Sequence, residues 1–248
     1  MKDDTIKDHG WWVKDDIIKD HGWWEEYFAH DGGWERNGGR LQTRIFAEHF
    51  TNLIQLEPST AFSILDAGCA LGEAIKHFSK VYPNASIYGI DFSRTAIERC
   101  KKELGKIASF SVGDLEDIEG HYDIIYCSHT LEHFPDFKEK TRNLARHCNR
   151  LCILVPYKEL RDGKPLIPCA SQHHQHTFWR NSFEFLVPEG LSHGIKTHVF
   201  SCPGAWGVNL STRVRQGIKN IARVILNKPM VSTPKQILYD IIVTCKGE

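Results

Sequence analysis

The sequence predicts an α/β fold, a mostly parallel sheet with helices on both faces, on three observations. Ile64-Leu65-Asp66-Ala67-Gly68-Cys69-Ala70-Leu71-Gly72-Glu73 carries an apolar strand straight into a glycine turn and a helix. Downstream, short apolar runs alternate with segments of helical periodicity, the pattern of βαβ units. Tyr122 to Cys127 and Leu151 to Val155 are nearly continuous apolar runs, as strands buried on both faces must be.

Each element has its own justification. After the first strand come a helix over 72–81, a strand over 86–91 and a helix over 93–104. In that helix Ala96, Ile97, Cys100 and Leu104 fall on one face and Arg94, Glu98, Lys101 and Lys102 on the other. Strands over 107–112 and 122–127, a helix over 136–147 and a strand over 150–156 complete the alternation. Asp31 to Thr43 is a glycine-rich turn opening a helix that runs to about Leu56. Beyond Pro156, a loop rich in turn residues leads to Gln172-His173-His174-Gln175-His176-Thr177-Phe178-Trp179, where substrate contacts are expected. Residues 208–228 read as a basic helix, with Arg213, Arg215, Lys219, Arg223 and Lys228 opposite an apolar stripe. It either grips an anionic membrane or phosphorylated substrate, or packs its stripe on the sheet. Gln236 to Cys245 is the last strand.

The first residues hold an internal repeat: Lys2 to Trp12 recurs as Lys14 to Trp24, each copy ending His-Gly-Trp-Trp. One continuous helix would turn the second Trp pair away from the first and would contain Gly10 and Gly22, so short turns or helices are expected. Trp23, Trp24, Tyr27, Phe28 and Trp34 either form an aromatic lid or pack against the domain or a partner. The division expected is 1–58 for this lid and the helix after it, and 59–248 for the core, with a substrate-side insertion around 157–180.

Composition sets bounds. The 248 residues, 41% hydrophobic and formally neutral, suit one α/β domain with additions and offer no electrostatic footprint for nucleic acid. The apolar runs are too short to span a bilayer, and Met1-Lys2-Asp3-Asp4 lacks the apolar core of a signal peptide, so the cytoplasm is expected. Eight cysteines without a C-x-x-C pair indicate neither a zinc knuckle nor a disulfide framework.

The chemistry concentrates at strand ends. Gly68 allows a tight turn and close backbone approach to a ligand, and the helix that follows directs its amide end there. The spacing Gly68-x-x-x-Gly72 is not the G-x-G-x-x-G that admits a pyrophosphate, so a cofactor without one fits better. Asp91 ends the second strand at the distance expected of a ribose-binding acid, and Asp114 follows the third, where it could take an adenine amino hydrogen. A lone strand-end aspartate could equally cap a helix, but three in this order point to a ligand.

With these residues the chain resembles the class I methyltransferases dependent on S-adenosylmethionine (SAM). The likeness is carried by Asp66-x-Gly68-x-x-x-Gly72, by Asp91, by Gly113-Asp114, and by Tyr122 through the Leu131-Glu132-His133 run. It covers about residues 60 to 156 and is strongest to the branch that methylates small molecules, quinone precursors and sugars. The resemblance implies a Rossmann-like seven-stranded sheet whose last strand is antiparallel. It also implies SAM held by Asp66, Gly68, Gly72, Asp91, Phe92, Asp114, Leu115 and Ser128. Arg40, with Gln42 or Thr43, would clamp the cofactor's carboxylate; the alternative is a surface arginine without a ligand.

For a hydroxyl acceptor a base is useful, and His133, His129 and His176 are the candidates, His133 first, although it could equally cap the next helix. No metal is expected, because neighbouring histidines in a loop should not aim at one ion and His173, His174 and His176 form no H-x-x-x-H pair among themselves. The expected reaction is O-methylation of a small molecule, with a saccharide or lipid-linked acceptor favoured by the aromatic segment and the basic helix. Peripheral membrane contact and a homodimer are compatible with it. The rivals are a cofactor-binding scaffold without catalysis, and a nicotinamide oxidoreductase disfavoured by the missing middle glycine.

Overall fold

The protein, seen in a computed structural model, is described over residues 21–29, 33–161, 163–167, 173–201 and 235–244. The first copy of the repeat and the basic helix over 208–228 lie outside the described residues.

The order along the chain is α1 (His21–Phe28), α2 (Gly33–Arg36), α3 (Gly39–Ile54), β1 (Ser63–Ala67), α4 (Glu73–Val81), β2 (Ser86–Asp91), α5 (Arg94–Leu104), β3 (Ser109–Val112) and β4 (Tyr122–Ser128). A 3-10 turn (Leu131–His133), α6 (Phe137–Arg146), β5 (Cys148–Pro156), the small hairpin β6 (Leu160–Arg161) and β7 (Lys164–Pro165), a 3-10 turn (Glu184–Leu186), β8 (Ser192–Ser201) and β9 (Lys235–Val243) follow. Seven strands form one sheet in the order β3-β2-β1-β4-β5-β9-β8. The first five are parallel, while β9 runs antiparallel to both β5 and β8, giving the Rossmann-like architecture expected. Strand order reverses between β1 and β4, which opens a crevice at their carboxyl ends.

Period-two alternation builds two cores. Leu65, Ala67, Ile125, Cys127, Leu151, Ile153, Tyr239 and Ile241 join Leu144 and Ala145 of α6 on one face. Ile64, Ile124, Tyr126, Cys152, Leu154 and Leu238 join α3 and α4 on the other. Phe50 of α3 sits in the second core with its ring 5.4 Å from that of Phe78 and 4.8 Å from that of Tyr126.

Three details depart from expectation. The third strand starts at Ser109, because Ile107 N donates to Leu104 O and finishes the α5 turn, leaving Ile107 exposed at the sheet edge. The last strand is interior, since β8 pairs along its other side; the mixed polar run Ser192 to Ser201, half-exposed, lacks the apolar signature of a buried strand. The family resemblance implies a helix started by Ser or Thr near Asn181-Ser182, after His176-Thr177-Phe178; the chain forms only the short turn Glu184–Leu186 there, held by bonds such as Leu186 N to Phe183 O at 3.1 Å.

Phe50→Ala should destabilise the protein by about 3–5 kcal/mol through the lost ring and the cavity left behind. Urea unfolding checks this, and the sheet contacts predict a lower midpoint with an unchanged slope.

Candidate active site

The site is built at the crevice by short turns. Gly68 adopts φ 85°, and a Cβ there would lie 2.3 Å from Thr130 Oγ1, so only glycine fits between the β1 turn and the residues after β4. Gly68 N and Cys69 N both donate to Ile90 O, at 2.9 and 3.0 Å, which folds this turn against the end of β2. Ala70 continues it at φ 46°, a conformation side chains seldom adopt.

Asp91 holds the turn in that shape. Its carboxylate is buried and accepts Ala70 N at 2.8 Å on Oδ2 and Ser93 N at 2.9 Å on Oδ1. Each oxygen keeps a lone pair, and the residue walls the cavity, so it is able to accept a pair of ligand hydroxyls. Burial raises its pKa to about 6 against the lowering effect of the two amides. Asp66 is buried beside it. Burial and the nearby Asp91 lift it to about 8, and its Oδ2 has no hydrogen-bond partner among the described residues.

Apolar groups form the remaining floor and roof. Ile90, Phe92, Leu115 and Phe134 wall the cavity, with Gly113 and Asp114 at its edge. Asp114 Oδ1 accepts Leu115 N at 2.5 Å, and Lys140 Nζ lies 3.5 Å from its Oδ2. Gln42, Thr43 and Phe46 enter from α3, while Ser128, His129, Thr130 and His133 enter from the end of β4 and the turn after it. Trp24, Phe28 and Trp34 close the opposite side.

That aromatic segment is anchored by charge. Glu25 accepts Arg94 N at 2.8 Å, Thr95 N at 3.0 Å and Ser93 Oγ at 2.9 Å, so a carboxylate of α1 caps the helix that begins just after Asp91. Arg99 reaches back from α5 to Phe28 O at 2.9 Å and to both oxygens of Glu35 at 3.0 Å. Trp23 and Tyr27 stack on one another at 4.3 Å and are not among the cavity walls.

Residues 64–151 match the family model described as methyltransferase domain. This segment is a class I SAM-dependent methyltransferase domain. It is similar to malonyl-[acyl-carrier protein] O-methyltransferase of Bacillus anthracis, 32% identical over 100 residues, 39% of this chain and 37% of that protein. It is also similar to trans-aconitate 2-methyltransferase of Deinococcus radiodurans, 25% identical over 96 residues, 38% of this chain and 37% of the relative. The chain thus spans little more than a third of the length of either. The fold is that of magnesium protoporphyrin IX methyltransferase from Synechocystis with bound SAM, at a TM-score of 0.54 and 16% identity over 82% of this chain and 81% of that one. Coclaurine N-methyltransferase bound to N-methylheliamine and SAH shares it at a TM-score of 0.55 and 14% identity over 79% and 71%.

SAM is the cofactor of this methyltransferase domain, and the cavity fits it. The unpartnered buried oxygen of Asp66 suits a cationic donor such as the cofactor's ammonium. The two free lone pairs of Asp91 suit a ribose, and the slot between Phe92, Ile90 and Leu115 suits a flat base.

Of the expected cofactor residues, Gln42, Asp66, Gly68, Asp91, Phe92, Asp114, Leu115 and Ser128 all border this one cavity. Arg40 and Gly72 do not. The Arg40 guanidinium is occupied by three carboxylates, with Glu35 at 2.9 Å, Glu73 at 2.6 Å and Glu103 at 3.2 Å, so it ties α2, α3, α4 and α5 together instead of reaching a ligand. Gly72 caps α4 at φ 73°, and a Cβ there would press on Leu104.

The histidines separate as well. His176 is outside the cavity, its Nε2 donating to Phe134 O at 3.0 Å. His133 Nδ1 donates to His173 O at 2.9 Å, and burial pushes its pKa down to about 4, too low for a base working near neutrality. His129 stands differently. Its ring stacks on Phe46 at 4.3 Å, Nδ1 lies 3.1 Å from Glu132 Oε1, and Nε2 has no hydrogen-bond partner among the described residues. Burial works to raise the pKa of Glu132, but the attraction of the surrounding histidines holds it at about 2. The expectation that no neighbouring loop histidines converge does not hold: His173 and His174 meet His133.

Thr43, expected beside Gln42, also lines the cavity, whereas Phe46, Phe134 and Glu25 were not foreseen. Only Glu25 left a signal, as a carboxylate in the aromatic segment without a local partner.

Because hydroxyls donate to Asp91 only as a carboxylate, SAM binding must expel its proton. Asp66, raised to about 8, must likewise ionise to pair with an ammonium, so calorimetry should find SAM affinity level above about pH 8, falling as the pH drops below that, and falling more steeply below about 6. Asp91→Ala should lose detectable binding.

Proposed function

We propose that the chain transfers the methyl group of SAM to an oxygen of a small molecule. When bound, SAM supplies a sulfonium-borne methyl and its own leaving group; the protein's part is to orient an acceptor, exclude water and receive a proton. One observation carries the reading: an acidic cofactor cradle and His129, whose Nε2 has no hydrogen-bond partner among the described residues, border the same cavity. Relatives named as O-methyltransferases support oxygen as the accepting atom.

His129 is the base this geometry favours. Glu132 Oε1 lies 3.1 Å from Nδ1, a placement that favours the tautomer in which Nε2 carries the lone pair, and His129 is among the residues lining the cavity. Positive φ at His129, 52°, places the ring against Phe46 rather than along the strand.

Trp24, Phe28 and Trp34 offer flat apolar faces to the acceptor. They support an acceptor with a ring, a saccharide ring among them, while lipid linkage would draw on the basic segment over 208–228. A scaffold that binds SAM without catalysis would use the same cradle, and turnover distinguishes the two. The nicotinamide reading is disfavoured by Ala70, where a pyrophosphate-binding turn needs glycine.

Release of S-adenosylhomocysteine should be measured against phenolic, carboxylate and saccharide acceptors. The proposal expects acceptor-dependent release with one of them, and no acceptor-dependent release with any would favour the scaffold. His129→Gln should lower kcat by about 10²–10⁴-fold with SAM affinity kept. Trp24→Ala should raise acceptor KM by about tenfold, equivalent to about 1.4 kcal/mol, as for a lost stacking face.

A further inference from the structure

Three histidines meet beside the cavity. His133 ends the 3-10 turn after β4, and His173 and His174 come from the connection between β7 and β8. One ligand nitrogen from each ring lies within 4.8 Å of the other two.

The two segments are fastened to each other. Gln175 N donates to Glu132 O at 2.7 Å, and His133 Nδ1 donates to His173 O at 2.9 Å. His174 Nδ1 donates to Glu159 Oε2 at 2.6 Å. A ring nitrogen that faces a carbonyl or carboxylate carries the hydrogen, so in both rings the lone pair is on Nε2. An outer carbonyl or carboxylate holding Nδ1–H in this way is how metal-binding imidazoles are oriented. Packing alone does not require it.

We propose that His133, His173 and His174 bind a divalent transition-metal ion of the zinc class, with a fourth position open to an oxygen ligand. Imidazole suits zinc, copper, iron and nickel, and three protein ligands with one open position is the count of reactive rather than structural zinc sites. Metal–nitrogen bonds of about 2.0–2.1 Å set the nitrogens about 3.4 Å apart, so the rings draw in by roughly an ångström on loading. His133 also walls the cavity, which puts the ion at its margin. The ion site stands on its histidines; its bearing on methyl transfer, by holding the acceptor oxygen, rests on the function proposed above.

The test uses full-length protein purified without a polyhistidine tag and stripped with a chelator. Zn²⁺ is titrated against a chromophoric chelator, and Co²⁺ loading is followed by visible absorption. The expected result is one ion per chain at this site, with the strong absorption of four-coordinate Co²⁺. His174→Ala should abolish that absorption, and Glu159→Gln should weaken Zn²⁺ affinity by about 10–100-fold. SAM affinity, measured by calorimetry, should be retained in both. Wild-type protein without the four-coordinate spectrum overturns the proposal, as does His174→Ala that keeps both the spectrum and SAM binding. If His174→Ala loses SAM binding, Glu159→Gln decides, and unchanged Zn²⁺ affinity overturns the site. Should the ion bind with that spectrum while wild-type protein fails to bind SAM, the cofactor reading falls and the metal site stands.

Discussion

Two hydrogen bonds from backbone amides to one buried carboxylate organise this molecule. Asp91 accepts Ala70 N and Ser93 N, so the turn after β1 and the start of α5 are tied to the end of β2. The turn needs that tie because Ala70 holds a positive φ that an alanine would otherwise leave. Without it the floor of the cavity would have no fixed shape. The cost is electrostatic, since burial beside Asp66 disfavours the charge that a donor ligand requires. A ligand bringing hydroxyls and an ammonium relieves both carboxyls at once.

The architecture was legible where burial and chain chemistry point the same way. Tyr122 to Ser128 and Cys148 to Pro156 are central strands with side chains in two cores, and a continuous apolar run says so. The half-exposed β8 was not legible, because pairing to β9 is satisfied by backbone and asks little of Ser192 to Ser201 in side chains. Strand ends carried the site for the same reason: Asp66, Gly68, Asp91 and Asp114 are each fixed to one sheet edge by local chain geometry.

Side chains on long stems were harder to read. Arg40 lies one residue inside a helix that walls the cavity, yet Glu73 and Glu103 come from elsewhere in the sequence and capture it. Spacing gave no warning of either. His133 and His129 sit four residues apart, and their roles diverge through partners that only tertiary structure supplies, His173 O for one and Glu132 for the other. The convergence of His173 and His174 on His133 depends on Gln175 N finding Glu132 O, a backbone contact that no motif records.

Ser93 has two duties. Its amide faces Asp91, and its hydroxyl donates to Glu25 while accepting Ala96 N. Floor and roof therefore share a single residue. A guest that firms the grip of Asp91 also steadies the first turn of α5, the perch on which α1 rests. Reciprocity then requires that whatever seats α1 tightens the hold on that guest, so that a second reactant under the aromatic roof raises the affinity for the first.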